Sequence, residues 1–270
     1  RASYNKFFVS YLKTFERLGL KAIPMAADIG PIGGDMSHEF VIISDTGESD
    51  IYFDNRILNL TNIDENIQYN SDLSTIVESY QDLYSVADDK FSEDDFNLKV
   101  PEEFRKHTKG IEVGHIFNFA TKYSEPMKAN VLNSNGKTVP VHMGSYGIGI
   151  SRLVGAIIES SHDENGIIWP NSVTPFDIGL INLKIKDFDA VKICEKIYLE
   201  LKDTGIDILY DNKDDSPGAK FSRMDLIGLP IQIICGKNSV KDGTVEIKYR
   251  NSGDVKLINI SDVVNFIKNK

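Results

Sequence analysis

The stretch MGSYGIGISRLVG, Met143–Gly155, decides the fold. An apolar, β-prone lead over Thr138–Met143 runs into three glycines, Gly144, Gly147 and Gly149. Ile150, Leu153, Val154, Ile157 and Ile158 then recur at helical spacing. A strand, then glycines, then a helix start brings bare backbone close to a ligand. Arg152, in the first turns of that helix, is a fixed cation and implies an anionic ligand.

Downstream of this stretch the pattern changes near Pro175. Strands at 178–183, 206–210 and 231–235 alternate with helices at 190–202 and 219–227. Two short strands (244–249, 255–258) and a helix (263–268) follow, which predicts a small α/β domain with a mixed or parallel sheet. Upstream, Tyr4, Phe7, Phe8, Tyr11, Leu12, Phe15 and Leu18 mark one face of a helix that Gly19 stops. A strand at 21–27 and a loop over 28–36 with Pro31, Gly33 and Gly34 come next. Strands at 37–44 and 50–53 flank a turn at 45–47. From 111 to 123 Ile111, Val113, His115, Phe117 and Phe119 alternate on one face, with Glu112 on the other. Asn135-Gly136 marks a hairpin. These strands form an antiparallel sheet leading into the glycine-rich stretch. The piece between, from Asp54 to about Lys106, holds 13 acidic and 5 basic residues. It reads as an insertion with a helix near 73–86.

The 270 residues carry a net charge of −10, with 41% hydrophobic content. Residues 177–270 hold 15 acidic and 15 basic side chains, so the acidity is local and leaves a nucleic-acid partner open. No apolar run approaches the ~18 residues of a membrane span. Cys194 and Cys235 lie far apart in sequence, and a reducing, cytoplasmic setting is expected. The chain opens on Arg1, so a longer protein is expected.

The polar residues in strand-like or glycine-rich context are His38, Glu39, Glu112, His115, Lys122, Ser145 and Arg152. Each alone has a plain reading: a satisfied core histidine, a solvated edge carboxylate, an arginine paired on a helix. Together they describe an open floor. Carboxylates would hold a cationic amine, glycines would let a nucleotide lie flat, and the guanidinium would hold phosphate or stack on a base. No Walker loop, GxGxxG, GxSxG or metal-ligand spacing competes with that reading.

The strings GGDMSHEF (Gly33–Phe40), GIEVGHIFNFATKYS (Gly110–Ser124), GSYGIGISRLVGAIIE (Gly144–Glu159) and GIIWPNSVTPFDI (Gly166–Ile178) closely resemble bacterial-type prolyl-tRNA synthetases. GIGISRL is similar to the third signature motif of class II aminoacyl-tRNA synthetases, and Arg152 falls on its arginine. The resemblance implies an α+β protein. A partial class II catalytic domain with a six- to seven-stranded antiparallel sheet would occupy 1–174, and an α/β anticodon-binding domain 175–270. A short acidic insertion, about 54–109, would stand in place of an editing domain. The resemblance places Glu39, Glu112, His115 and Phe117 along the proline and adenylate pocket, with Ser145 where many members have cysteine. Gly147 and Gly149 would lie under the adenylate and Arg152 on ATP. Lys213, Lys220 and Arg223 would approach the anticodon of tRNA(Pro). Proline, ATP with Mg2+, and a homodimer of the full-length enzyme are the implied substrates and partner; no protein-bound metal is implied. The first two class II motifs, with their dimer interface and second arginine, are expected upstream of Ser3. A non-catalytic tRNA-binding module or a different class II synthetase are the other readings.

Overall fold

A computed structural model describes every residue except Ile29, Pro31, Ile32, Asp35, Thr61, Asn62 and Lys270. Pro31 of the expected loop and Asp35 of GGDMSHEF therefore lie outside the described residues. The protein is α+β and divides into two compact units, Arg1–Ser160 and Ser161–Lys270.

The first unit begins with α1 (Ala2–Arg17), whose Phe8, Tyr11 and Phe15 rings pack on Phe40. Gly19 then takes φ 75°, the left-handed turn that ends a helix. Strands β1 (Ala22–Ala26), β2 (Met36–Ile43) and β3 (Ser49–Asp54) follow, then α2 (Ser74–Gln81), β4 (Ser85–Ala87), α3 (Glu93–Lys99) and the long β5 (Arg105–Ala120). After a single turn, α4 (Ser124–Met127), come β6 (Asn130–Leu132), β7 (Thr138–Pro140), β8 (Met143–Ile148) and α5 (Ile150–Ser160). Strands β6 and β7 form the hairpin that Asn135-Gly136 announced.

The main sheet has six strands in the order β2-β1-β4-β3-β5-β8, and β2 also pairs with β5, closing the sheet into a barrel. It is antiparallel except for one parallel contact, Ala26 opposite Val86. Strand β4 comes from the acidic segment. That segment is therefore not a surface insertion between parts of a finished sheet, because it supplies one of the strands. Lys13 and Lys21 of the α1 region donate to its backbone carbonyls at Asp64, Glu65 and Leu58.

Strands β2 and β3 do not pair with each other. Both pair antiparallel with β5 and meet it at one residue, Gly110, which stands opposite Ile43 and Ser49. The connection between them passes over that point. A Cβ at Gly47 would stand 2.4 Å from the backbone N and O of Gly110, and one at Gly110 would stand 2.3 Å from Val41 Cγ1. Two glycines let the chains cross.

A bulge lies just beyond. Phe40 faces Gly114, yet Val41 faces Glu112, so Val113 is an extra residue in β5. The alternation expected over 111–123 breaks there. Glu112 and His115 come to one face of the sheet, while Ile116, fully buried, takes the opposite face with His38 and Phe40.

The second unit opens with a small hairpin, β9 (His162–Asp163) and β10 (Gly166–Ile167). Its sheet runs β12-β11-β13-β14-β15 from β11 (Ile178–Asn182), β12 (Ile208–Asp211), β13 (Ile231–Cys235), β14 (Thr244–Tyr249) and β15 (Val255–Asn259). The first three are parallel and the last two antiparallel. Helices α6 (Phe188–Lys202) and α9 (Val263–Lys268) cover one face, through Cys194, Ile197, Leu201, Val263 and Ile267. Helix α7 (Pro217–Ile227) covers the other through Met224, and a short α8 (Lys237–Lys241) that no sequence pattern marked follows β13. The division expected at 174/175 falls inside this unit. Buried Arg250 holds Asp163 and the Gly166 carbonyl, and Trp169 donates its indole N–H to the Ile227 carbonyl. These bonds tie the polar link to the α/β domain. Among the described residues no helix is long and apolar enough to cross a membrane.

The crossing gives the first expected outcome. Gly47→Ala must push backbone, not a side-chain tip, and should cost about 3 kcal/mol or more in urea unfolding. A midpoint unchanged from the parent protein would show that the crossing is not tight.

Candidate active site

The bulge, the sheet register and the start of α5 assemble the site. In β2, Glu39 stands opposite His115, and Ser37 opposite Phe117. In β8, on the other side of β5, Gly147 stands opposite His115 and Ser145 opposite Phe117. One row therefore reads Glu39, His115, Gly147, and the next Ser37, Phe117, Ser145. Glu112 joins them from across the bulge.

His115 is the centre. Its Nδ1 lies 3.2 Å from Glu112 Oε1 and 3.7 Å from Glu39 Oε1. Its Nε2 is 2.5 Å from the Ser37 hydroxyl. Nδ1 thus faces the two carboxylates and Nε2 faces the Ser37 hydroxyl, so both ring nitrogens are engaged. Phe117 stacks on the imidazole at 3.8 Å between centroids and 18° between planes. Ser37 was absent from the expected set. Its role depends on cross-strand register, which no local pattern reports. Burial first, and then the Glu112 charge, push the Glu39 carboxyl up to about 7.

The glycines separate into different roles. A Cβ at Gly147 would meet nothing within 4 Å, so the strand there is an open platform beside His115. Gly149 donates its amide to the Val113 carbonyl at 3.0 Å and ends the strand. Gly144, expected on the same floor, makes room instead for Tyr146, whose hydroxyl would be 2.4 Å from an added Cβ. Tyr146 stacks on Phe7 at 3.7 Å. The glycines at 144 and 147 are also in β8 itself, not in a loop ahead of the helix.

Arg152 projects from the first turn of α5. Its Nη1 donates to Glu48 Oε1 and to the Glu112 backbone carbonyl, both at 3.0 Å, and Glu112 Oε2 lies 3.9 Å away. Its side chain is 52% exposed, so an incoming anion can reach it. The face of α5 is narrower than the apolar spacing implied: Leu153, Ala156 and Ile157 are buried, and Ile150 and Val154 are exposed. The Lys122 ammonium fills the space where a Gly33 side chain would be. His38 points away from the site. It is bonded to the Tyr4 hydroxyl at 2.6 Å, and burial pushes it down to about 4.

Glu39, Glu112 and His115 also form the described cluster with ligand atoms close enough for a metal ion. Its chemistry suits Mg2+ poorly, since that ion prefers six oxygens in an octahedron and one donor here is an imidazole. Two carboxylates around one point suit an amine with hydrogens to donate.

In the second unit, Lys213 is exposed at the loop after β12. Lys220 is not: its side chain is 1% exposed, and its Nζ lies 3.4 Å from Asp211 Oδ1. Buried in this way it cannot meet a phosphate directly, which corrects the expectation drawn from its place on α7. Arg223 Nη1 lies 2.6 Å from Asp211 Oδ2, and its other nitrogen holds Asp215.

Residues 1–161 match the family described as tRNA synthetase class II core domain (G, H, P, S and T), and residues 177–270 match an anticodon binding domain. The chain belongs to the class II tRNA synthetase core family. A relative named proline–tRNA ligase from Parvibaculum lavamentivorans is 54% identical over 254 residues, covering 94% of this chain and 58% of that protein. Another of that name, from Rhodopseudomonas palustris, is 50% identical over 264 residues, covering 98% and 60%. The chain thus spans about three fifths of the curated relatives it matches. A solved prolyl-tRNA synthetase from Cryptosporidium parvum, in complex with L-proline and AMP, superposes with a TM-score of 0.68 at 14% identity, covering 100% of this chain and 47% of that one. That likeness concerns the fold.

Two titrations on opposite faces of β2 act in opposite senses. Glu39, raised to about 7, gives stability that is full below its unfolded value and is lost as pH rises toward 7. His38, lowered to about 4, is neutral when folded, so its contribution is lost as pH falls from the unfolded value toward 4. Between roughly pH 4.5 and 6.5 the two slopes oppose each other. Melting temperatures across that window should rise with pH in Glu39→Gln, which leaves only the histidine slope. They should fall in His38→Gln. Identical profiles in both variants would rule out the assigned titrations.

Proposed function

We propose that this chain carries the catalytic core and anticodon-binding domain of a proline–tRNA ligase. The observation that carries the reading is the Glu39–Glu112–His115 trio beside an open glycine row and a reachable Arg152. The ammonium of proline donates to the Glu39 and Glu112 carboxylates, which His115 holds in place, and the stacked Phe117 walls the pyrrolidine ring. The adenylate lies along Ser145 and Gly147, where no side chain intervenes. Arg152 exchanges its exposed Glu48 partner for ATP phosphate. A magnesium ion bound with ATP would offset phosphate charge, and Glu48 and Glu112 are the carboxylates beside Arg152 that could face it.

The proline carboxylate then attacks the α-phosphorus of ATP in line, and pyrophosphate leaves. A ribose hydroxyl of the terminal adenosine of tRNA(Pro) next attacks the carbonyl of prolyl-adenylate, and AMP leaves. Neither step needs an enzyme nucleophile. Catalysis is positioning and charge stabilisation, which the trio and Arg152 provide. The reading includes a cytoplasmic homodimer for the full-length protein. It assigns catalysis to 1–174, and to 175–270 contact with the anticodon, with Lys213 outermost.

The test is proline-dependent ATP–pyrophosphate exchange by the full-length protein. Arg152→Ala should lower exchange by about 10²-fold or more, since it removes a charge partner of the transition state. Glu112→Gln should chiefly raise the KM for proline. Exchange that depends on a different amino acid would replace proline in this reading. Binding of tRNA with no exchange would favour a non-catalytic module.

A further inference from the structure

We infer that the buried Asp211–Lys220 pair sets the shape of the loop between β12 and α7, so that Asn212 and Lys213 meet the RNA. This rests on the tRNA reading above and names how that domain is positioned.

Asp211 is the last residue of β12, and its side chain is 3% exposed. It is a hub. Lys220 Nζ reaches its backbone carbonyl at 3.2 Å and Oδ1 at 3.4 Å. Arg223 takes Oδ2, and the Lys213 amide donates to Oδ1 at 3.2 Å. Burial alone would raise this carboxyl; the Lys213 amide, Lys220 and Arg223 outweigh it and hold Asp211 below the ordinary carboxylate range. At the far end of the loop, Ser216 caps α7 by accepting the Ala219 amide, and Pro217 starts the helix. Residues 212–216 are thus anchored at both ends.

The charges between those anchors are already matched. Asp215 is held by Arg223, and Asp214 by Lys186 at 2.8 Å. Lys186 lies in the loop after β11, so this pair spans the mouth between two parallel strands. Connections leave those strands toward opposite faces of the sheet, through α6 and α7. The carboxyl ends of the parallel strands are where open α/β sheets take ligands. Asn212 and Lys213 are exposed there, and among the described residues neither side chain has a partner. With each aspartate neutralised, Lys213 presents an uncompensated positive charge. Lys220 acts through Asp211 and is a positioning residue, not a contact.

The closing experiment measures binding of tRNA(Pro) by the full-length protein across a salt series, for the parent, Lys213→Ala and Lys220→Met. Lys213→Ala should reduce the slope of log affinity against log salt by about one, because one phosphate contact is lost. Lys220→Met, close in volume, should weaken binding about ten-fold at every salt with the slope unchanged. Its tRNA-independent pyrophosphate exchange should stay within about two-fold of the parent, the scale on which a remote substitution is energetically silent. A slope loss of about one in Lys220→Met would make it a direct contact and overturn the inference, as would unchanged affinity. If that variant does not fold, Arg223→Gln keeps the buried lysine while releasing both aspartates and must show the same weakening; unchanged affinity there overturns the inference equally. A parent protein that fails to bind the tRNA even at low salt defeats the tRNA reading itself.

Discussion

One extra residue in β5 governs the first unit. Without the bulge at Val113, strand periodicity would put Glu112 on the α1 side and separate it from His115 by the thickness of the sheet. With it, a carboxylate and an imidazole three residues apart share a face and come within 3.2 Å. The same bulge presents the Val113 carbonyl to Gly149, which fixes where β8 stops and α5 starts. It also turns the Glu112 carbonyl to Arg152. The Glu112–His115 cluster and Arg152, the two ends of the proposed site, thus depend on one backbone irregularity. Bulges near sites are devices for aiming side chains, and this one aims two ends at once.

Much of this was legible. The aromatic stripe of α1, the Asn135-Gly136 hairpin and the alternation after Pro175 follow local rules, and each element forms within a few residues of its expected place. The site residues could be nominated because polar groups were set among apolar strands. Their arrangement could not be read. Period-two reasoning put His115 and Glu112 on opposite faces, and the bulge brings them to the same one. Ser37 and Glu48 were missed because their partners, His115 and Arg152, are 78 and 104 residues away in sequence.

The acidic segment was misread for a related reason. Strand β5 begins at Arg105, inside that segment, and its first residues RKHTK have no apolar alternation. They pair with β3 through charge: His107 and Lys109 meet Asp50 at 3.0 and 3.3 Å, and Tyr52 stacks on His107. Cross-strand pairs of this kind hold a strand without a hydrophobic signature. Strand β4 is only three residues long, all buried, and too short for periodicity to register. A segment that looks dispensable by composition closes the barrel.

The cations teach the same lesson about exposure. Arg152 and Lys220 both look, in sequence, like groups waiting for an anion. Both are already paired with carboxylates. What separates them is the medium. Arg152 and Glu48 are each about half exposed. Water screens that pair, so exchanging Glu48 for a phosphate gives up about 0–1 kcal/mol. Lys220 and its partner Asp211 are 1% and 3% exposed, and breaking such a pair leaves a buried charge at about 3–5 kcal/mol. A phosphate arriving from solvent can displace the carboxylate of the first pair and not that of the second. Of the two cations, the arginine of the glycine-rich stretch is the one whose present partner an incoming anion can replace.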